Sequence, residues 1–214
     1  MNYYERYWKR SFGGNGVAVS PPSWNEGDFR RVIDIAKPYC HGNVLDIGCG
    51  DGIFTSYLSK FSKVEKITGV DISQTAISQA KKKYPEIEFK VVVPATLPFS
   101  KESFDFITMI EVVEHIIDTE QMFKEANKIL KPGGCILITT TDFNLVKKII
   151  IATFFWEKYF YPTNPHVRFF TKATLKDLLG KMGFKAIKHK WNGNYLGIMP
   201  KGQMAIFKKL FRNG

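Results

Sequence analysis

Apolar positions along the chain alternate between two spacings. The short run Asn43–Ile47 (N-V-L-D-I) reads as a strand, and Phe54, Tyr57, Leu58 and Phe61 then recur at helical spacing. Lys66 to Val70 reads as a second strand, ending at Asp71. Ser73 is placed to cap a helix that runs to about Tyr84, with Pro85 just beyond its end. Ile87–Val93 and Phe104–Ile110 are further strands. Thr119–Leu130 is a helix closed by Pro132–Gly133–Gly134, and Cys135–Thr140 is a buried strand. This β-α-β-α-β-β-α-β order over residues 43–140 predicts a mostly parallel sheet with helices on both faces.

The flanks are less regular. Tyr3, Tyr4, Tyr7, Trp8 and Phe12 predict a short aromatic helix, followed by a loop through Gly13–Gly14 to Pro21–Pro22. Glu26–Lys37 carries Phe29, Val32, Ile33, Ile35 and Ala36 at helical spacing, and Pro38 stops it. Residues 143–170 lose the alternation and gather nine aromatic side chains, from Phe143 to Phe170. Thr171–Met182 is an amphipathic helix with Gly183 at its end. Phe184–Trp191 and Gln203–Lys208 are strands joined through Asn192–Gly193–Asn194 and a longer loop. At 214 residues one domain is expected. It divides into a helical cap (1–40), a core (41–142), an aromatic and basic lid insertion (143–170), and a closing helix with strands (171–214).

Composition narrows the class. The chain is 44% hydrophobic and 24% charged, as a globular domain is. No apolar run approaches the ~20 residues of a membrane span, and Met1–Arg10 is no signal peptide. Cys40, Cys49 and Cys135 read as reduced thiols, so the expected compartment is the cytoplasm. The net charge of +11 is unevenly placed. Residues 1–144 carry 17 basic and 18 acidic side chains, whereas 145–214 carry 14 and 2. Such a basic third suits an anionic membrane surface, RNA or a phosphate-bearing ligand; it also suits a merely solvated surface.

The sharpest local signal is Val44-Leu45-Asp46-Ile47-Gly48-Cys49-Gly50-Asp51-Gly52. A strand feeds a glycine turn, and a helix follows. Such a turn lets a ligand touch the main chain beside a helix N-terminus. Asp71 ends the next strand, 19 residues after Gly52, where a carboxylate can accept ribose hydroxyls. The arrangement suits a nucleoside-containing cofactor. A dinucleotide turn has the spacing G-x-G-x-x-G, but this one is G-x-G-x-G, with Ile53 at the dinucleotide position.

These residues resemble the class I S-adenosylmethionine-dependent methyltransferases, of the type that includes the quinone-biosynthesis O-methyltransferases. Val44–Gly52 and Gly69–Ser73 carry the likeness, with Leu97–Phe99, Ser103–Asp105, Glu111–Ile116, Leu130–Gly134 and His166–Thr171. The resemblance implies a Rossmann-like α/β sandwich. Its sheet would have seven mostly parallel strands, with an antiparallel last strand. It implies S-adenosylmethionine as cofactor, with backbone around Gly48, Cys49, Gly50 and Gly52 against its methionine end. Asp46 would lie near its amino group, Asp71 on its ribose, and Ile72 against its adenine. Ala95, Thr96 and Leu97 would line the adenine pocket, and Glu111 would face cofactor and acceptor. Val93-Pro94-Ala95-Thr96 departs from the family by lacking an acidic adenine contact. Tyr4 or Trp8 would belong to a lid.

In-line displacement on a sulfonium carbon needs an aligned nucleophile, and a base where the acceptor is a hydroxyl. His115 and His166 are the candidates. Glu111, Glu114 and His115 (E-x-x-E-H) could hold a divalent metal, though cofactor contact and packing explain them as well, and no metal is expected. Arg168 could bind an anionic acceptor or pair with a carboxylate. The aromatic 143–170 segment suits a ring-bearing or lipid-like small-molecule acceptor, or else a packed satellite cluster. The expected assembly is a monomer or homodimer. The alternatives are an RNA methyltransferase and a non-catalytic cofactor-binding module.

Overall fold

The computed structural model describes residues 5–9, 26–162, 164–195 and 199–211. Helix α1 (residues 5–9) precedes α2 (Glu26–Ala36), β1 (Gly42–Ile47), α3 (Ile53–Ser59), β2 (Val64–Asp71), α4 (Gln74–Lys83) and β3 (Glu88–Val91). Then come β4 (Phe104–Ile110), a 3-10 turn (Val113–His115), α5 (Thr119–Ile129) and β5 (Leu130–Thr141). The chain closes with α6 (Leu145–Phe154), α7 (Trp156–Tyr159), α8 (Lys172–Lys181), β6 (Phe184–Tyr195) and β7 (Met199–Lys209).

The strands form one seven-stranded sheet in the order β3-β2-β1-β4-β5-β7-β6. β3, β2, β1, β4 and β5 pair in parallel, whereas β7 runs antiparallel to both β5 and β6. Central strands buried on both faces need nearly continuous apolar runs, which is why β1 and β4 read so clearly. One face packs Val32, Ile35, Phe54, Leu58, Ile77 and Ala80 from α2, α3 and α4. The other packs Met122, Phe123, Ile129, Leu175 and Leu179 from α5 and α8.

Several boundaries differ from the sequence expectation. Pro132–Gly133–Gly134 lies inside β5 and does not stand ahead of it. Leu130 pairs with Phe104, and pairing resumes at Cys135 with Phe106, so the triplet bulges out of the ladder. Gly134 is required there, because a Cβ would stand 2.9 Å from the Asp105 carbonyl oxygen. Asn192–Gly193–Asn194, read as a connection, belongs to β6 and pairs with β7. β3 stops at Val91, two residues early, at the sheet edge. The 143–170 segment holds two helices that its non-alternating pattern did not announce. Tyr3, Tyr4, Phe12 and the loop to Pro22 lie outside the described residues.

The parallel strands deliver their carboxyl ends to one edge. β1 pairs with β2 on one side and β4 on the other, so strand order reverses at β1. Ligands bind outside the carboxyl ends at such a switch point. The residues that arrive there are Gly48 after β1, Asp71 ending β2, Glu111 after β4 and Asp142 after β5.

Candidate active site

The glycine turn is held from beneath. Asp46 is 2% exposed, and its carboxylate accepts the hydroxyls of Thr55 at 2.6 Å and Thr108 at 2.7 Å. It therefore ties β1 to α3 and β4. Burial pushes its pKa up to about 6, against the lowering effect of the two hydroxyls. The amides of Gly48 and Cys49 donate to the Val70 carbonyl at 2.7 and 3.0 Å, which joins the turn to β2. Cys49 is buried and its thiol is raised well above its ordinary range by burial, so it serves as packing.

Three glycines in the turn answer to different neighbours. A Cβ on Gly48 would collide with Val112 at 2.4 Å, and one on Gly52 with Phe89 at 2.7 Å. Those two serve protein packing. Gly50, left-handed at φ 55°, instead meets the indole of Trp8 at 2.7 Å. Trp8 of α1 thus covers it. Glu5, on that same helix, accepts the Ser73 hydroxyl at 2.7 Å and the Thr75 amide at 3.1 Å. Those hydrogen bonds dock α1 on the start of α4 and hold the carboxyl of Glu5 below its ordinary pKa.

Asp71 occupies the corner between these pieces. Its Oδ2 accepts the Gly50 amide at 3.0 Å, and its Oδ1 accepts the Ser73 amide at 2.8 Å. Burial raises its pKa, while these amides oppose the rise. Each carboxylate oxygen still has acceptor capacity for a ligand hydroxyl. Ile72 follows directly. Ala95, left-handed at φ 55°, and the exposed Thr96 form a rim after β3. Leu97 is 2% exposed and belongs to the apolar core beneath them.

A second group gathers after β4 and β5. Glu111 is a non-glycine residue at φ 53°, a conformation costing roughly 1–2 kcal/mol. Its amide donates to Thr139 Oγ1 at 3.0 Å, and that hydroxyl donates to Glu111 Oε1 at 2.8 Å. Glu114 is 1% exposed and accepts the Thr140 hydroxyl at 2.9 Å on Oε2. Its Oε1 has no donor among the described residues, yet the Glu111 carboxyl lies within hydrogen-bonding reach. Burial raises both carboxyls, and repulsion by Glu111 raises Glu114 further.

His115 and His166 meet edge to face, with ring centroids 4.8 Å apart. His115 Nδ1 lies 3.0 Å from the Pro165 carbonyl, so it carries the proton and donates it there. Burial lowers the pKa of His115, and burial with the neighbouring His115 and Lys147 takes His166 down to about 4. Both imidazoles are neutral near pH 7. No ring hydrogen bond of His166 is formed among the described residues.

A family model described as a methyltransferase domain matches residues 26–189. The chain belongs to that family. It is a class I S-adenosylmethionine-dependent methyltransferase by fold and by sequence. It is 31% identical over 179 residues to the ubiquinone biosynthesis O-methyltransferase of Pelagibacter ubique, covering 75% of this chain and 73% of that one. It is 36% identical over 95 residues to the demethylmenaquinone methyltransferase of Chlorobaculum parvum, a match spanning 44% of this chain and 39% of the relative. A Methanosarcina mazei S-adenosylmethionine-dependent methyltransferase superposes with a TM-score of 0.68 at 24% identity, over 83% of this chain and 98% of that one. That likeness concerns the fold.

The methyltransferase family implies S-adenosylmethionine, and the residues present fit it. Gly50 offers a surface free of Cβ, and Asp71 keeps acceptor capacity toward it. A Cβ at Gly48 or Gly52 would meet Val112 or Phe89, and the Cys49 and Leu97 side chains are buried. The metal grouping also differs from expectation. Glu114, His115 and His166 each offer one ligand atom, all within 4.8 Å of one another. Glu111 is turned to Thr139 and stands outside that trio. Arg168 is exposed and donates to the Ile117 carbonyl, and no carboxylate pairs with it among the described residues.

Sequence reading missed Glu5, Asp142 and Lys147. Asp142 is 1% exposed, and its Oδ1 lacks a hydrogen-bond partner among the described residues. Lys147 is 2% exposed, donates to the Lys201 carbonyl at 3.1 Å, and lies near enough to Asp142 and Glu111 to feel both charges. No local pattern announces these roles, since the partners of Glu5 lie about 70 positions away and Lys147 sits in an apolar run.

Proposed function

We propose that this methyltransferase moves a methyl group from S-adenosylmethionine to an oxygen of a small, apolar or ring-bearing acceptor. The observation that carries the reading is His166: a neutral, half-buried imidazole with no ring hydrogen bond among the described residues, beside His115 and the Glu114 carboxyl. The O-methyltransferase name of the Pelagibacter relative agrees with it.

When bound, the donor supplies an electrophilic sulfonium methyl group. Asp71 would hold its ribose, with Ile72, Ala95 and Thr96 around the base. Gly50 and Trp8 would enclose the amino-acid end, above the pillar of Asp46. Glu111, fixed by Thr139, faces the gap between donor and acceptor. His166 takes the proton of the acceptor hydroxyl, and His115, anchored on Pro165, holds the neighbouring ring in place. Phe143 and Phe160 each meet Phe169 edge-on, three residues after His166 in the chain, and would offer an apolar wall to a ring-bearing acceptor. Holding the nucleophile in line accounts for roughly 7–11 kcal/mol of barrier lowering, and the base for about 10²–10⁴ in rate.

Glu114, His115 and His166 could ligate a divalent ion, which would acidify a coordinated oxygen. Burial and the neighbouring Glu111 disfavour the ionised, ligating form of Glu114, so the proton-acceptor role of His166 is preferred.

The test is a methyl-transfer screen of the purified chain with labelled donor against catechols, polyprenyl phenols and RNA. Label in a phenolic ether supports the proposal. Label in RNA alone supports the RNA alternative, and cofactor binding without turnover on any acceptor supports a non-catalytic module.

A further inference from the structure

The order of the sheet lays the site out in a line. Asp71 ends β2, Gly48 follows β1, Glu111 follows β4 and Asp142 follows β5. The donor's seat at Asp71 and Gly50 takes the β2 and β1 end of that line. Beyond Glu111 the edge continues to β5, one strand spacing of about 5 Å further on. An acceptor that meets the donor beside Glu111 therefore extends toward Asp142.

Asp142 is firmly placed there. It forms a parallel bridge with Phe170, and the Phe143 amide and the Gln203 side chain both donate to the Phe170 carbonyl, at 3.0 and 3.2 Å. The loop that carries His166 is thereby pinned alongside. Thr140, two positions earlier on the same face of the extended chain, donates to Glu114, which clusters with His166. Asp142 and Glu111 keep the ammonium of Lys147 charged against the effect of its burial, and Lys147 in turn helps to lower His166. Groups from β4, β5 and the His166 loop thus lie around one cation.

The carboxylate of Asp142 is only half used. Its Oδ2 accepts the Asn144 amide at 3.2 Å and the Asn144 side-chain nitrogen at 2.9 Å. Its Oδ1 has no donor among the described residues, although the residue is 1% exposed. A buried carboxylate oxygen is costly to leave in that state. With Lys147 supplying positive charge nearby, what Oδ1 calls for is a hydrogen-bond donor.

We propose that Asp142 is a specificity-determining residue of the acceptor site, its Oδ1 taking a hydrogen bond from a hydroxyl or N–H group of the acceptor other than the oxygen that is methylated. The inference rests on the small-molecule acceptor of the proposed function, and it adds a second protic group to that molecule. A site built to bond a polar group rejects analogues that lack it, because its own buried group is then left unpaired.

The experiment compares phenols that carry a hydroxyl, an amino or a methoxyl substituent at each ring position, with the wild type and with Asp142→Asn. The amide is nearly isosteric, keeps an oxygen for Asn144, and presents N–H groups where Oδ1 stood. The wild type should favour the hydroxyl or the amino compound over its methoxyl analogue by at least about tenfold in kcat/KM at one ring position or more. Asp142→Asn should erase or reverse that preference, with the change expressed in KM. Thermal unfolding verifies that the variant folds; should it misfold, the preference of the wild type decides alone. If the wild type methylates none of these phenols, that failure belongs to the proposed function. Calorimetric titration of the chain with S-adenosylhomocysteine and the same compounds then reads the subsite, with the same tenfold difference expected. Equal kcat/KM for the protic and methoxyl compounds overturns the assignment, as does a preference that survives in folded Asp142→Asn. In the titration, equal binding or no binding does so.

Discussion

His166 lies edge to face with His115 at 4.8 Å between ring centroids, and the backbone anchor of His115 at Pro165 is next to His166 in the chain. One imidazole is therefore positioned by the other and by a loop that the first one ties down. With a pKa of about 4, His166 is already deprotonated across the neutral range. For this group the folded value is depressed, so the basic form is lost only as pH falls through about 4. The kcat/KM profile should show no bend near the ordinary imidazole value of about 6.5. His166→Gln should lower kcat by about 10²–10⁴ with donor affinity within about twofold. A bend near 6.5 in the wild type, or an unchanged kcat in the variant, counts against the assignment.

Metal removal separates the two uses of the trio Glu114, His115 and His166. Turnover after dialysis against a chelator should equal that of the untreated protein. Activity that vanishes and returns with an added divalent ion would give these side chains to a metal.

Trp8 covers Gly50, and Glu5 pins the same helix to Ser73 and Thr75. Trp8→Ala should weaken donor binding by about tenfold, by exposing the amino-acid end to water, and speed donor dissociation. The expected size is that of one buried aromatic contact. Stopped-flow dissociation measures it. An unchanged rate would mean that α1 packs on the turn without gating it.

Asp46 tests the pillar under the turn. Its folded pKa of about 6 exceeds the ordinary carboxylate value of 3.8, so its ionisation disfavours the folded state. That cost is absent below the unfolded value, grows as pH rises through the interval between the two, and is complete above about 6. Asp46→Asn removes it. Relative to wild type, the variant should gain about 3 kcal/mol between roughly pH 4 and pH 7 in urea unfolding, whatever its constant offset from altered hydrogen bonds to Thr55 and Thr108. A stability difference that does not change with pH contradicts the buried, protonatable role.

Much of this was legible in the residues. Buried parallel strands announce themselves by apolar runs, and the turn with Asp71 stands at the switch point that βαβ order requires. The seven-stranded sheet with its antiparallel last strand was legible from the family likeness. Local pattern failed where tertiary neighbours decide. Nothing local in the sequence shows that Gly48 and Gly52 also make room for Val112 and Phe89, which come from distant strands and loops. Pro132–Gly134 read as punctuation, although a strand can carry such a triplet as a bulge. α6 was hidden because Lys147 is buried while Leu145 and Ile149 are exposed, against the usual pattern of a surface helix. The pairing of His115 with His166 depends on a chain reversal of 51 positions that periodicity does not encode.

The account rests most heavily on Asp71 and Gly50 as the donor's seat, and calorimetric titration with S-adenosylhomocysteine tests it most directly. The wild type should bind, and Asp71→Ala should bind at least about tenfold more weakly, since a ligand hydroxyl bonded to a carboxylate contributes roughly 1.5–3 kcal/mol. Equal affinities, or a wild type that takes up no ligand, would contradict it.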